Sequence, residues 1–363
     1  MSAPAGTTRR SIFRSARDLT GRRWPAIALA GLAVVVVGAG CGSSDSPQGS
    51  KQSAATRHLH RQEARRHALE RKLAEARQAH RRREAERAKH SKRAASSAAA
   101  GTSGPFLGPG ATRSFEKLAA SVSAPIGVSI APLDAGEPAS FGSLGVGHAW
   151  SSIKVPILVT LMRDRSEGLS SREMQWATDA IEASDNAAAM SLFRQLERIH
   201  GGLDGASAAV QGTMAEAGNA ATVATAPPPP GAVSTYGQTE WSIEEASAFF
   251  RALANGCLLG PGGTEYVLDL MRNVIPEQRW GLGGAPFDPS WSVAIKGGWG
   301  PEAGSGAYLV RQSGLIQSGR AGVAVTMIAE DASGFEAGAA DLTRIAAWLH
   351  ENLRGLGQPA AGC

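Results

Sequence analysis

The chain has 363 residues, with 37 Lys and Arg against 32 Asp and Glu and a pI near 9.4. The charge is divided along it: residues 1–50 hold six basic and two acidic side chains, 51–93 hold fifteen and five, and 94–363 hold 16 and 25. Because the positive charge is confined to a front segment too simple to build a groove-reading fold, nucleic acid is excluded as a partner. Five of the eight histidines lie between His58 and His90 and the three cysteines are far apart, so no spacing suggests a metal site and no cofactor is expected.

The front segment begins with Arg9, Arg10, Arg14, Arg17, Arg22 and Arg23, followed by an apolar run from Pro25 to Val37 and then Gly38-Ala39-Gly40-Cys41. Basic residues, a short apolar run and small residues before a cysteine resemble a bacterial lipoprotein export signal over 1–41, with lipid attached at Cys41. An uncleaved anchor is the alternative, although Trp24 to Gly40, about 17 residues, is short for a span. Either way the chain is expected outside the cytoplasm, held at the cell membrane. Cys257 and Cys363 then remain as cysteines that could pair.

Residues 42–56 (GSSDSPQGSKQSAAT) are small and polar and read as a flexible tether. Residues 57–93 are rich in Ala, Arg, Glu, Lys and Gln without a sustained apolar stripe, which predicts a solvated basic helix acting as a spacer. Its cations suit anionic envelope polymers or lipid headgroups. An Ala/Ser/Gly/Pro linker, 94–112, ends it.

The rest, 113–356, reads as one α/β (α+β) domain. A helix is expected near Ser114 to Ser121, strands at Ile126 to Ala131 and Ser140 to Leu144, a helix opening at Ser151, and a returning helix from Ser171 to Ala183. Further helices are expected at Ile243 to Ala254 and Tyr266 to Arg272, strands at Ser292 to Lys296, Ala307 to Gln312 and Gly322 to Ala329, and a last helix from Ala337 to Arg354. Five strands with helices at both ends of the domain predict an antiparallel sheet flanked by helices.

Three short motifs carry chemistry. Ser151-Ser152-Ile153-Lys154 puts a hydroxyl and an amine three residues apart at a helix N-terminus, on one face. The dipole there favours an alkoxide or oxyanion, and a desolvated lysine can take the hydroxyl proton. Ser114-Phe115-Glu116-Lys117 repeats the spacing, but it follows a linker and Ser114 is expected at the surface. Ser184-Asp185-Asn186 lies after the returning helix; at about 1.5 Å per residue the outward and return runs nearly cancel, bringing Ser184 near Ser151. Ser184 could relay a proton and Asn186 could hold a carbonyl, while an N-cap serine followed by a helix-starting acid is the plainer reading of such a triplet. Lys296-Gly297-Gly298-Trp299 ends a strand, with a cation, glycines that admit a substrate backbone, and the Trp299 N–H as a second oxyanion donor beside that of Ser151.

Together these motifs resemble the active site of class A β-lactamases and low-molecular-weight penicillin-binding proteins. The resemblance includes Gln238-Thr239-Glu240-Trp241-Ser242 and Arg279-Trp280-Gly281-Leu282. It implies a β-lactamase/transpeptidase-like fold and an acyl-enzyme on Ser151, formed from a β-lactam or a peptidoglycan stem-peptide amide. In the family's lactamases a loop glutamate activates the deacylating water. Here the matching stretch, 218–230 (GNAATVATAPPPP), has no acidic residue, and Glu216 is the nearest candidate. Gly297 stands where a hydroxyl residue is usual, and the short Ser151–Ser184 interval implies a trimmed all-α subdomain. Arg311 on the following strand is either a compensating cation for a substrate carboxylate or a solvated strand arginine.

Overall fold

The structure is a computed structural model that describes residues 106–359 except 135, 229–231 and 303–304. The expected export segment, tether and spacer, and the linker as far as 105, lie outside the described residues.

The chain forms α1 (Ala111–Ser121), β1 (Ile126–Pro132), β2 (Ala139–Gly142), β3 (Val146–His148), a 3₁₀ turn (Trp150–Ile153) and α2 (Lys154–Asp164). Then follow α3 (Ser171–Glu182), α4 (Asn186–His200), α5 (Leu203–Glu216), β4 (Glu240–Ser242), α6 (Ile243–Ala254) and α7 (Pro261–Arg272). β5 (Ser292–Pro301), β6 (Tyr308–Ser318), β7 (Ala321–Asp331) and α8 (Phe335–Asn352) complete it.

The expected five-stranded antiparallel sheet is present, in the order β2-β1-β7-β6-β5, with β5 at one edge. A second, two-stranded sheet pairs β3 with β4 and was not anticipated. The central strands are buried on both faces. Alternate residues Val128, Ile130, Val323, Val325 and Met327 pack with Leu342, Ile345 and Leu349 of α8. Residues between them turn to the helical side, where Ala131, Ala294, Leu315 and Ala324 join the cores of α2 to α7. The period of two thus separates two cores across one sheet.

Local signals set the helix starts. Ser170 with Glu173 and Ser242 with Glu245 form capping boxes that satisfy the free N–H groups of α3 and α6. Pro261 opens α7, where its missing N–H costs little. Phe106 and Leu107, ahead of the expected domain boundary, are buried, and Leu107 bridges Leu353. Ser114 is not a free surface hydroxyl: it accepts the Trp348 indole N–H at 2.8 Å and donates to the Ala111 carbonyl at 2.9 Å, tying α1 to α8. Cys257 is disulfide-bonded; Cys41 and Cys363 lie outside the described residues.

Candidate active site

Ser151 sits in the 3₁₀ turn just before α2 and is partly exposed. Trp150, immediately ahead of it, has a φ of 47°, a left-handed conformation rare for a bulky residue. Lys154 opens α2 and is almost wholly buried. Its Nζ donates to the Ser184 carbonyl at 2.6 Å, to Asn186 Oδ1 at 2.9 Å, to the Asp185 carbonyl at 3.3 Å and to Ser184 Oγ at 3.4 Å. Burial pulls this amine down to about 7, opposed by the negative charge of Asp185.

Ser184 also has a left-handed φ, 59°, at the turn between α3 and α4. That conformation aims its hydroxyl between two lysines. Lys296 Nζ, from β5, reaches Ser184 Oγ at 2.8 Å and the Gly297 carbonyl at 3.1 Å. Burial, and then the neighbouring Lys154, hold Lys296 well below the ordinary lysine range. The plainer reading of the triplet is corrected by one residue: the cap of α4 is Asp185, not Ser184, and its carboxylate accepts the Ala188 N–H at 2.7 Å. The structure therefore joins Lys154, Ser184, Asn186 and Lys296 in one hydrogen-bonded group. Ser151 stands beside it, one turn ahead of Lys154, with no hydrogen bond from Oγ among the described residues.

The glycines of β5 are explained by what lies against them. A Cβ on Gly298 would come within 2.9 Å of the Ser151 and Ser152 backbone nitrogens and 2.7 Å of the Ala149 carbonyl oxygen. Only glycine lets the Ser151 turn rest on the strand. A Cβ on Gly297 would lie 2.7 Å from the ring of Trp280, so the indole fills the room a hydroxyl side chain there would need. Trp280, Trp299 and Phe335 form an edge-to-face and tilted cluster, with ring centroids 4.9 to 6.0 Å apart, on the α8 side of β5. Gln312 fixes the turn that carries Trp280, donating to the Trp280 carbonyl and accepting the Leu282 N–H. Sequence reasoning missed Gln312 because its partners are remote in the chain.

Two expectations are corrected. Glu216 lies at the end of α5 and pairs with Arg163 at 2.8 Å on the exposed far end of α2, so it is no water-activating base for Ser151. Arg311 is neither a cleft cation nor solvated: it is fully buried, and Nη1 donates to the carbonyls of Gly147, Trp241 and His148 at 3.2, 3.0 and 3.4 Å. Its guanidinium lies over the Trp241 ring, 5.4 Å from the centroid. It thus pins the β3–β4 pair to the main sheet. Sequence pattern alone could not tell this pinning role from a solvated one.

Two further carboxylates, Glu245 and Glu302, have partners of their own. Glu245 serves the α6 cap and accepts the Ala220 N–H, and Glu302 binds His148. Among the described residues no cluster of His, Cys, Asp or Glu is arranged to hold a metal ion.

A model of the beta-lactamase enzyme family matches residues 172–353. No curated protein matches the chain. Among solved structures, the chromosome-encoded β-lactamase of Vibrio parahaemolyticus is 16% identical, with a TM-score of 0.53 over 66% of this chain and 97% of its own. The β-lactamase of Streptosporangium roseum is 15% identical, with a TM-score of 0.53 over 67% of this chain and 98% of its own. A PBP-A variant in an acyl-enzyme complex with penicillin G is 18% identical, with a TM-score of 0.51 over 66% of this chain and 94% of its own. These likenesses concern the fold, and the family match covers half of the chain. The chain belongs to the beta-lactamase enzyme family.

Proposed function

We propose that the chain is a serine acyltransferase-type hydrolase that forms an acyl-enzyme on Ser151 with β-lactams or related peptidoglycan amides, and releases it slowly. The observation that carries this reading is the shared Ser184 hydroxyl, within reach of Nζ of both Lys296 and Lys154, the latter one turn along the chain from Ser151. In this reading Lys154 takes the Ser151 proton as the hydroxyl attacks the carbonyl. Ser184 passes that proton to the leaving nitrogen, and Asn186 and β5 hold the acyl donor. The N–H groups of Ser151 and Trp299 receive the oxyanion.

Slow release, as in a penicillin-binding protein, is favoured over rapid hydrolysis by one observation. The segment ahead of Tyr236 supplies no carboxylate, and Glu216 is committed to Arg163. The resemblance of residues 1–41 to a lipoprotein export signal ending at Cys41 supports placement outside the cytoplasm at the membrane, with the basic residues 57–93 as a spacer. The test is labelling of the full chain with a fluorescent penicillin, followed by peptide mapping. A label on Ser151 that vanishes in Ser151→Ala supports the reading; equal labelling of both proteins refutes it.

A further inference from the structure

Three alternate positions at the end of β5 face the Ser151 turn. Gly298 lies under the Ser151 N–H, as shown by the 2.9 Å approach of a Cβ placed there. A Cβ on Gly300 would fall 2.3 to 2.4 Å from three atoms of the Trp150 ring, so the indole lies across the strand at that point. Glu302, one residue past β5 and buried, accepts the Trp150 indole N–H at 3.4 Å and meets His148 Nδ1 at 2.8 to 2.9 Å. His148 is the last residue of β3, three before Ser151. The strained backbone of Trp150 is therefore over-determined by strand, carboxylate and imidazole, as stored strain beside a reacting group requires.

We propose that Glu302 is a positioning residue for Ser151: by fixing the Trp150 indole and the His148 imidazole, it sets the gap between the Ser151 N–H and β5 in which the acyl oxyanion forms. The inference rests on the reading of Ser151 as the nucleophile. The geometry gives Glu302 no route to the substrate, so it acts through Trp150. Losing the carboxylate frees the indole to leave Gly300 and the turn to relax from its left-handed conformation. A displacement below an ångström there weakens a preorganised oxyanion site.

The test uses the full chain and two readouts: the rate of Ser151 labelling by a fluorescent penicillin, and the affinity for a boronic acid that forms a tetrahedral adduct on serine. Trp150→Phe removes the indole N–H and keeps a ring; Glu302→Ala removes the carboxylate; Glu302→Gln keeps an acceptor oxygen. Trp150→Phe and Glu302→Ala are each expected to slow labelling about tenfold or more and to weaken the boronate in parallel, because each removes support from the same transition-state contact. The double variant is expected to lose no more than the worse single one, since Glu302 acts on the turn through the Trp150 ring. Glu302→Gln is expected to recover most of the rate, and it carries the test together with Trp150→Phe if Glu302→Ala does not fold. Additive losses, or variants within about twofold of wild type in both readouts, overturn the inference alone. A wild-type chain that takes no label removes the reading on which it rests.

Discussion

Lys296 Nζ donates to Ser184 Oγ at 2.8 Å from a strand 112 residues further along the chain. That bond closes the site: it ties the edge strand to the α3–α4 turn and leaves the same hydroxyl facing Lys154. The predictions below change members of this group or the strand that carries Lys296.

Lys154 must be neutral to accept a proton. With its amine near 7, the acylation rate is expected to rise with pH through about 7 and then level off. Lys154→Arg should abolish the rise, because arginine keeps its proton. Stopped-flow labelling across pH 5.5 to 9 measures both.

The same shift fixes the sign of a stability effect. The unfolded chain holds this proton up to the ordinary lysine value of 10.5, whereas the folded chain releases it near 7. Between those values the unfolded state binds more protons, so stability rises with pH. The denaturation midpoint of wild type, relative to Lys154→Met, is expected to climb over that window. A flat difference counts against a buried, displaced amine.

Ser184→Gly separates the hydroxyl from the backbone it sits on. Glycine adopts a φ of 59° without strain, which offsets part of the loss of the bond from Lys296, so thermal stability should fall only slightly. Acylation should fall about 100- to 10,000-fold through loss of the proton relay. Circular dichroism melting and labelling rates on one preparation check both halves.

Gly297→Thr is expected to destabilise the domain by about 1 to 3 kcal/mol, because the new Cβ meets the Trp280 ring. Adding Trp280→Ala should relieve the clash, so the double variant is more stable than the sum of the single changes. Urea titration of the four proteins reads the cycle.

Much of this site is legible from spacing alone. Ser151 and Lys154 lie one turn apart, although the α-helix opens at Lys154 and not at Ser151, and Ser184 returns to Lys154 because α2 and α3 are nearly equal in length, at 11 and 12 residues. The helix at Ile243–Ala254 has its capping box and apolar period in plain view. What escaped sequence reading did so for physical reasons. α5 is alanine-rich with Gly205 and Gly212 inside it, so it lacks a marked apolar stripe. β3 and β4 have three residues each, too few for a period of two to register. β5 runs past Lys296 to Pro301 through three glycines that read as breakers, because the strand is an edge against which the Ser151 turn and the Trp150 ring lie. The burial of Arg311 depends on carbonyls from β3 and β4, which no local pattern reveals.

The central claim is an acyl-enzyme on Ser151 that forms and persists. Intact mass spectrometry of the full chain, mixed with a penicillin and sampled from minutes to hours, tests it most directly. One added penicilloyl mass is expected, mapped to Ser151, that outlasts removal of free antibiotic and is absent in Ser151→Ala. Antibiotic consumed with no lasting adduct would contradict slow release, and no adduct with no consumption would contradict acylation itself.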